Sequence, residues 1–125
     1  MIAADTCSMI AFLGGENGAD VDAVIEALSR RDLYLPPVVV SELLSDHRMT
    51  KSVRETILEQ PLLPLSDGYW ERVGSARAYL LSHKYKARLA DALVACAAID
   101  AKVSLITRDG DYRHYAKHFG LKLVG

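Results

Sequence analysis

Residues 91–109 read DALVACAAIDAKVSLITRD, a long apolar segment and then a shorter one, with an aspartate at each end. At helical spacing Asp91 falls on the same face as Val94 and Ala98, so the first segment predicts a buried helix. Residues 103–106 form the second segment, which is short and apolar and therefore predicts a buried strand. A helix that leads into such a strand is typical of α/β proteins.

The same alternation of helices and short apolar strands extends along the rest of the chain. Pro37 is expected to begin a helix, and Ser66 with Asp67 to cap the long helix that follows, with Trp70 and Val73 on its apolar side. The predicted strands are residues 2–4, 33–35, 62–65, 103–106 and 121–124, the third being weak. We therefore predict an α/β fold with three α/β/α layers and a mostly parallel central sheet of about four to five short strands.

The overall composition indicates an ordinary globular domain. A length of 125 residues suggests one domain, residues 1–125, and half of the residues are hydrophobic. No apolar run approaches the roughly 18 residues that span a bilayer, and no secretory signal is apparent, so we expect a cytoplasmic protein. Cys7 and Cys96 do not form a disulfide framework and are expected to be small buried residues.

Charge is distributed unevenly along the chain. Residues 1–71 carry five cationic and twelve acidic side chains, a net charge of −7, whereas residues 72–125 carry ten and four, a net charge of +6. A basic stretch that leads into an acidic site suits a phosphodiester substrate, although a solvated helix face explains the basic stretch equally well. The candidate phosphate contacts are Arg72, Arg77, Lys84, Lys86, Arg88 and Arg108.

Four acidic residues interrupt or flank the apolar segments: Asp5, Glu42, Asp91 and Asp109. Burying a carboxylate without a partner is unfavourable, so four of them in such settings suggest a shared counterion. Carboxylate oxygens suit a hard divalent metal ion. Asp5 and Asp109 each follow a predicted strand, and the sites of open parallel sheets form at that edge. The set therefore predicts a metal site at the carboxyl ends of the strands.

Each acidic residue also has a simpler explanation when taken alone. Asp5 and Asp91 are each explained by capping a helix. Glu42 suits a solvated helix flank, and Asp109 suits a turn before a helix. Asp111 is expected to cap the last helix rather than to join the site. The joint pattern of the first four acids is more specific than any one member.

Other kinds of site have weaker support. His114 and His118 have a spacing that can hold a transition metal, but a surface helix end explains them as well. Residues 14–18 contain three glycines but do not follow a strand, and the chain has no phosphate-binding loop. A phosphotransferase of the haloacid-dehalogenase type would need an aspartate where Cys7 stands.

Four segments, in order and at typical separations, resemble the motifs of PIN-domain proteins of the small prokaryotic VapC-type toxin ribonuclease group. They are residues 4–10, 36–44, 89–95 and 105–109, and each contains one of the four acids. Two departures are small. Cys7 and Met9 are unusual beside Asp5, and Asp111-Tyr112 stands where an Asp-Phe pair is common.

The resemblance implies a PIN-like nuclease domain with Asp5, Glu42, Asp91 and Asp109 as catalytic acids and metal ligands, steadied by hydrogen bonds from Thr107. It implies an endoribonuclease that uses Mg²⁺ or Mn²⁺ and is the toxin of a type II toxin-antitoxin pair. It further implies a homodimer and a VapB-type antitoxin partner. The alternative is a catalytically silent PIN-like module that binds RNA or protein, against which the presence of all four acids argues.

Overall fold

The computed structural model describes residues 1–124, in which seven α-helices and four β-strands alternate. The strands are β1 Ile2–Ala4, β2 Leu33–Tyr34, β3 Ser104–Ile106 and β4 Lys122–Val124. The helices are α1 Thr6–Leu13, α2 Ala19–Ser29, α3 Pro37–Leu44, α4 Lys51–Glu59, α5 Tyr69–Ser82, α6 Leu89–Ala101 and α7 Arg113–Phe119, the last preceded by a 3-10 turn at Gly110–Tyr112. Within residues 1–124, no helix is both long and apolar enough to cross a bilayer.

The strands form one parallel sheet in the order β2-β1-β3-β4. The chain moves from β1 to β2 in one direction across the sheet, and from β2 to β3 and on to β4 in the other. Because such crossovers are right-handed, α1 and α2 lie on one face of the sheet and α3 to α7 on the opposite face. The change of direction falls between β1 and β3, and a crevice opens there at the carboxyl ends of the strands.

Both faces of the sheet are covered. Ala3 and Ala4 are adjacent on β1, as Leu105 and Ile106 are on β3, and all four residues are 0% exposed. Since successive residues of a strand point to opposite faces, a side chain is buried on each side of both central strands. The prediction of an α/β fold with three layers and a parallel sheet is therefore confirmed.

The weak strand predicted at residues 62–65 is reduced to one bridge between Leu35 and Leu62. Pro61 and Pro64 flank the bridge, and proline has no N–H to donate to a ladder. The sheet therefore has four strands within residues 1–124.

The predicted cap of α5 is wrong. Gly68, with a φ of 78°, precedes the helix in place of a side-chain cap. Ser66 and Asp67 are bound instead by Arg72, which donates to the Ser66 hydroxyl at 2.9 Å and to the Asp67 carbonyl at 2.8 Å. On α5, Val73 is buried as predicted, but Trp70 is 68% exposed and lies outside the core.

A buried ion pair ties α2 to the turn after β3. Asp20 is 4% exposed, and its carboxylate accepts hydrogen bonds from Arg108 at 2.7 Å and from the Ser8 hydroxyl of α1 at 2.9 Å. The hydrogen bond from Arg108 lowers the pKa of Asp20 to about 2. Arg108 is thus held by the fold beside the acidic edge of the sheet.

Replacing Asp20 with asparagine is expected to lower the free energy of unfolding at pH 7 by about 2 kcal/mol, because the pKa of Asp20 is lower in the folded chain than in the unfolded chain. This contribution is present above about pH 4 and is lost as the pH falls towards 2. Urea unfolding across that pH range measures it.

Glu16→Gln is the matched control, because Glu16 contacts the same Arg108 at 3.4 Å but is 57% exposed. Its effect on unfolding should stay below about 0.5 kcal/mol. An equal loss in both variants, or none in Asp20→Asn, would contradict the assignment.

Candidate active site

The register of the sheet places Asp5 beside Thr107. Ala4 pairs with Ile106, so the next residue of each strand lies at the same edge, and the Asp5 N–H donates to the Ile106 carbonyl at 3.1 Å. Both side chains are buried, Asp5 at 2% and Thr107 at 6% exposure, and the Thr107 hydroxyl donates to the Asp5 carboxylate. Two residues that are distant in sequence thus form one hydrogen-bonded unit.

Further contacts fix the orientation of the Asp5 carboxylate. It caps α1 by accepting from the Ser8 N–H at 2.9 Å, as the sequence predicts, and it accepts from the Cys7 thiol at 3.0 Å. Burial and the Asp5 carboxylate together raise the pKa of Cys7 to about 11, so the thiol stays protonated and unreactive at neutral pH. Asp5 therefore has both a capping contact and a fixed place at the crevice.

Three other carboxylates converge at the same edge. Asp91 lies in the first turn of α6, and Asp109 and Asp111 lie in the turn after β3. One oxygen of each lies within 4.8 Å of the others, close enough to share a cation. Asp109 is oriented from both sides, because its N–H donates to the Thr107 hydroxyl at 3.0 Å and its carboxylate accepts from the Asp111 N–H at 2.9 Å.

The surroundings of Asp91 raise the pKa of its carboxyl group. Burial raises it above its usual value, the negative charges of Asp109 and Asp111 raise it further, and Arg88 opposes both. The Tyr112 hydroxyl lies 3.5 Å from Asp91, and burial raises the pKa of Tyr112 well above its usual range, so it remains a neutral donor. A bound cation would relieve the repulsion, and oxygen-only donors suit Mg²⁺ or Mn²⁺, so these residues fit a divalent metal ion.

Arg88 provides the countercharge for the cluster. It precedes α6, and its guanidinium lies 3.3 Å from Asp91, 3.4 Å from Asp109 and 3.5 Å from Asp111. Lys86 adds a second cation, 3.4 Å from Asp111. In each of these ion pairs the basic side chain is more than half exposed, and Arg88 also belongs to the wall of the cavity that the acids line.

Glu42 reaches the site from α3. Its side chain is exposed and accepts a hydrogen bond from the Thr6 hydroxyl at 2.6 Å. A cavity of about 230 Å³ has Asp5, Glu42, Asp91 and Asp109 in its wall. All four acids that the sequence singles out thus face one cavity, although Asp5 and Glu42 are not part of the three-carboxylate cluster.

The prediction that Asp111 caps the last helix is wrong. Asp109 caps the 3-10 turn, and the carboxylate of Asp111 turns towards Asp91. The signal was present in the sequence, because two aspartates separated by one glycine in a tight turn can present both carboxylates on the same side. The expectation that Asp91 is more than a helix cap agrees with the structure, where Arg88 occupies the cap position.

Most of the candidate phosphate contacts have partners within the fold. Arg72 pairs with Asp100 at 2.7 Å, and Arg77 donates to the Ala87 carbonyl at 2.7 Å. Arg108, Lys86 and Arg88 pair with acidic residues, as described above. Lys84 is exposed, at the turn after α5. Their contacts to RNA stay a prediction.

The PIN domain family model matches residues 2–118 of the chain. The match covers the sheet edge, the acidic cluster and the helices that carry them. The chain belongs to the PIN domain family. No curated protein matches it.

Solved structures share this fold at low sequence identity. FitAcB from Neisseria gonorrhoeae has a TM-score of 0.73 and 22% identity, over 100% of this chain and 97% of that chain. VapBC2 from Rickettsia felis, bound to a DNA fragment from its promoter, has a TM-score of 0.71 and 18% identity, over 98% of this chain and 97% of that chain. VapBC-5 from Mycobacterium tuberculosis, a member of the VapBC family of toxin-antitoxin systems, has a TM-score of 0.64 and 20% identity, over 98% of this chain and 96% of that chain.

Thr107→Val is expected to lower the free energy of unfolding by about 1–3 kcal/mol, because it removes one hydrogen bond from the buried Asp5 carboxylate and leaves the Asp109 N–H without its acceptor. Valine matches threonine in shape, so little of the loss comes from packing. Urea unfolding measures the change. Thr107→Ser, which keeps the hydroxyl, is the control and should retain most of the stability, and a loss as large in serine as in valine would contradict the role of the hydroxyl.

Proposed function

We propose that this protein is a metal-dependent endoribonuclease that hydrolyses RNA phosphodiester bonds, and that it is the toxin of a type II toxin-antitoxin pair. The observation that carries the proposal is the single cavity that Asp5, Glu42, Asp91 and Asp109 line in a PIN-domain chain. A catalytically silent module would have no need to keep four mutually repelling carboxylates at one edge of the sheet.

The residues of the site have different roles. Asp91, Asp109 and Asp111 hold the negative charge that attracts a cation, and Asp5 and Glu42 extend that charge across the cavity. Thr107 keeps Asp5 in place, so that its carboxylate does not have to reorganise when the site is charged. Tyr112 donates to Asp91 from the buried side.

Mg²⁺ or Mn²⁺, bound by Asp5, Glu42, Asp91 and Asp109 with Asp111 nearby, would activate water and neutralise the charge that develops on the phosphate. Arg88 lies in the wall of the cavity and Lys86 contacts Asp111 beside it, and both suit a polyanionic substrate, because their exposed charges draw phosphates towards the acids.

A groove next to the cavity supports the antitoxin part of the proposal. It has a volume of about 920 Å³, lies between α1, α3 and α4, and is mostly apolar, with Leu13, Leu43 and Val53 in its wall. Ile10 and Glu42 belong to both the groove and the acidic cavity. A segment of a VapB-type antitoxin lying there would cover the entrance to the acids. We also propose a homodimer that acts in the cytoplasm.

Purified protein is expected to cleave RNA in the presence of Mn²⁺ or Mg²⁺ and to lose cleavage in EDTA. Asp91→Asn should reduce the rate by at least about a hundredfold, since it removes a charge from the centre of the cluster while keeping the side chain's shape. A panel of structured and single-stranded RNAs, read on denaturing gels, measures the rate and the cleavage position.

Asp100→Asn is the matched control, because Asp100 lies at the other end of α6 and pairs with Arg72. Its activity should remain close to that of the unchanged chain. Cleavage that survives in Asp91→Asn would indicate a contaminating ribonuclease. No cleavage by the unchanged chain, with RNA still bound, would favour the binding module.

Millimolar Mn²⁺ is expected to raise the melting temperature of the protein, because the cation binds the folded cluster and the unfolded chain has no such site. The rise should be several degrees in the unchanged chain and should largely disappear in Asp91→Asn. Differential scanning calorimetry gives both values. An equal rise in the two proteins would place the metal elsewhere.

A further inference from the structure

A group of aromatic and histidine side chains lies beside the acidic cavity and has no part in it. We call Tyr79, His83, Tyr85 and His114 the aromatic platform. The rings of Tyr79 and His83 are stacked with centroids 4.1 Å apart, and those of Tyr85 and His114 are also 4.1 Å apart at an angle of 32°. His118 lies between the two pairs, 5.3 Å from Tyr79 and 5.4 Å from Tyr85.

The platform is partly accessible and its rings are held in place. Tyr79 is 40% exposed and His83 is exposed, whereas Tyr85 and His114 are half-buried. The His83 Nδ1 lies 2.8 Å from the Tyr79 carbonyl oxygen and 3.0 Å from the Ser82 hydroxyl, and these contacts hold the ring beside Tyr79. A group of flat rings that is held before binding loses little conformational entropy when another ring stacks on it.

The platform is continuous with the acidic site. Residues 83–88 read HKYKAR and connect α5 to α6, so Tyr85 lies next to Lys86, which contacts Asp111 at 3.4 Å. His114 follows Asp111 by three residues, one turn further along the same segment. The sequence contains no acidic residue between Arg72 and Arg88. The positive charges of this segment favour an anionic ligand at the platform over a cationic one.

Lys84 occupies a backbone position that favours glycine. It has a φ of 63°, and α5 ends there with the Lys84 N–H bonded to the Leu81 carbonyl and the Tyr85 N–H bonded to the Leu80 carbonyl. Glycine is the usual residue at this position of such a helix end, because other residues are strained there. Between His83 and Tyr85 of the platform, the chain thus has an exposed lysine at a position where glycine would be less strained.

We propose that the aromatic platform, with Lys84 and Lys86, binds bases and phosphates of single-stranded RNA next to the phosphodiester that enters the acidic cavity. This inference rests on the proposed ribonuclease function. Bases of any sequence stack on tyrosine and histidine rings, and exposed lysines contact the intervening phosphates. A duplex hides its base faces, so the platform selects for unpaired RNA.

The test measures binding of a fluorescent single-stranded RNA oligonucleotide and of a duplex of the same composition, by anisotropy. Both are titrated in EDTA with the Asp91→Asn chain, which keeps the RNA intact. Tyr85→Leu retains an apolar side chain but removes a stacking face, and should weaken single-strand binding about tenfold while changing duplex binding little. Melting temperature checks that this variant is folded.

Lys84→Gly removes the charge from a position where glycine is unstrained, so the variant should be at least as stable as the unchanged chain. Its affinity for the single strand should fall about threefold, and the slope of log affinity against log salt should decrease by about 0.7. Lys102→Gly is the matched control. Lys102 also has a positive φ, 57°, at the end of α6, but it precedes β3 at the opposite edge of the sheet.

The two proposals fail in different ways. If the unchanged chain cleaves RNA with Mn²⁺ and both Tyr85→Leu and Lys84→Gly bind the single strand as tightly as Lys102→Gly does, the platform is overturned and the nuclease function stands. If single-strand affinity falls in both variants and not in the control, the platform is supported, even where no RNA is cleaved and the nuclease function fails. Equal losses for single strand and duplex in Tyr85→Leu would overturn the selection for unpaired bases.

Discussion

The pairing of β1 with β3 is the constraint on which the site depends. One register, with Ala4 opposite Ile106, determines that the next residues, Asp5 and Thr107, are neighbours at the edge of the sheet. A slip of one strand by one residue would turn its side chains to the opposite face, so that each would have to pack against the wrong layer of helices. Because the side chains of β1 and β3 are buried on both faces of the sheet, the register of this pair is tightly specified. The burial of the core thereby sets the geometry of the crevice.

Sequence patterns predict those parts of the site that follow from chain direction and periodicity. Parallel strands end at the same edge, so Asp5 and Asp109 are placed together once the strands are recognised. Asp91 follows from its position on the apolar face of α6. Glu42 is less determined, because it is exposed on α3, and only the packing of that helix brings it to the cavity. The family motifs supply that association, which periodicity alone does not.

Other features depend on contacts that the sequence does not encode locally. α5 begins after Gly68 without a side-chain cap, and Arg72 instead donates hydrogen bonds to the Ser66 hydroxyl and the Asp67 carbonyl. The direction of the Asp111 carboxylate depends on the 3-10 turn at Gly110–Tyr112, which precedes the last helix. Each outcome is decided by a competition between hydrogen bonds of similar strength.

The charge asymmetry of the sequence has two separate origins in the structure. Some basic residues of the second half neutralise acids of the fold, as Arg108 does for the buried Asp20 and Arg72 for Asp100. Others stand at the rim of the crevice, where Lys86 and Arg88 face the acids from the solvent side. A net charge calculated from sequence counts both groups alike. The basic surface available to a ligand is therefore smaller than the composition suggests.

The hydrogen bond between Asp5 and Thr107 joins residues 102 positions apart in the chain. Asp5 is synthesised well before Thr107, and β3 cannot dock beside β1 until its own residues have been synthesised. β2 can pair with β1 as soon as it has been synthesised. Asp91 of α6 and Asp109 of the turn after β3 do not yet exist at that stage. The cavity lined by Asp5, Glu42, Asp91 and Asp109 is therefore complete only once β3 and the turn after it have been synthesised.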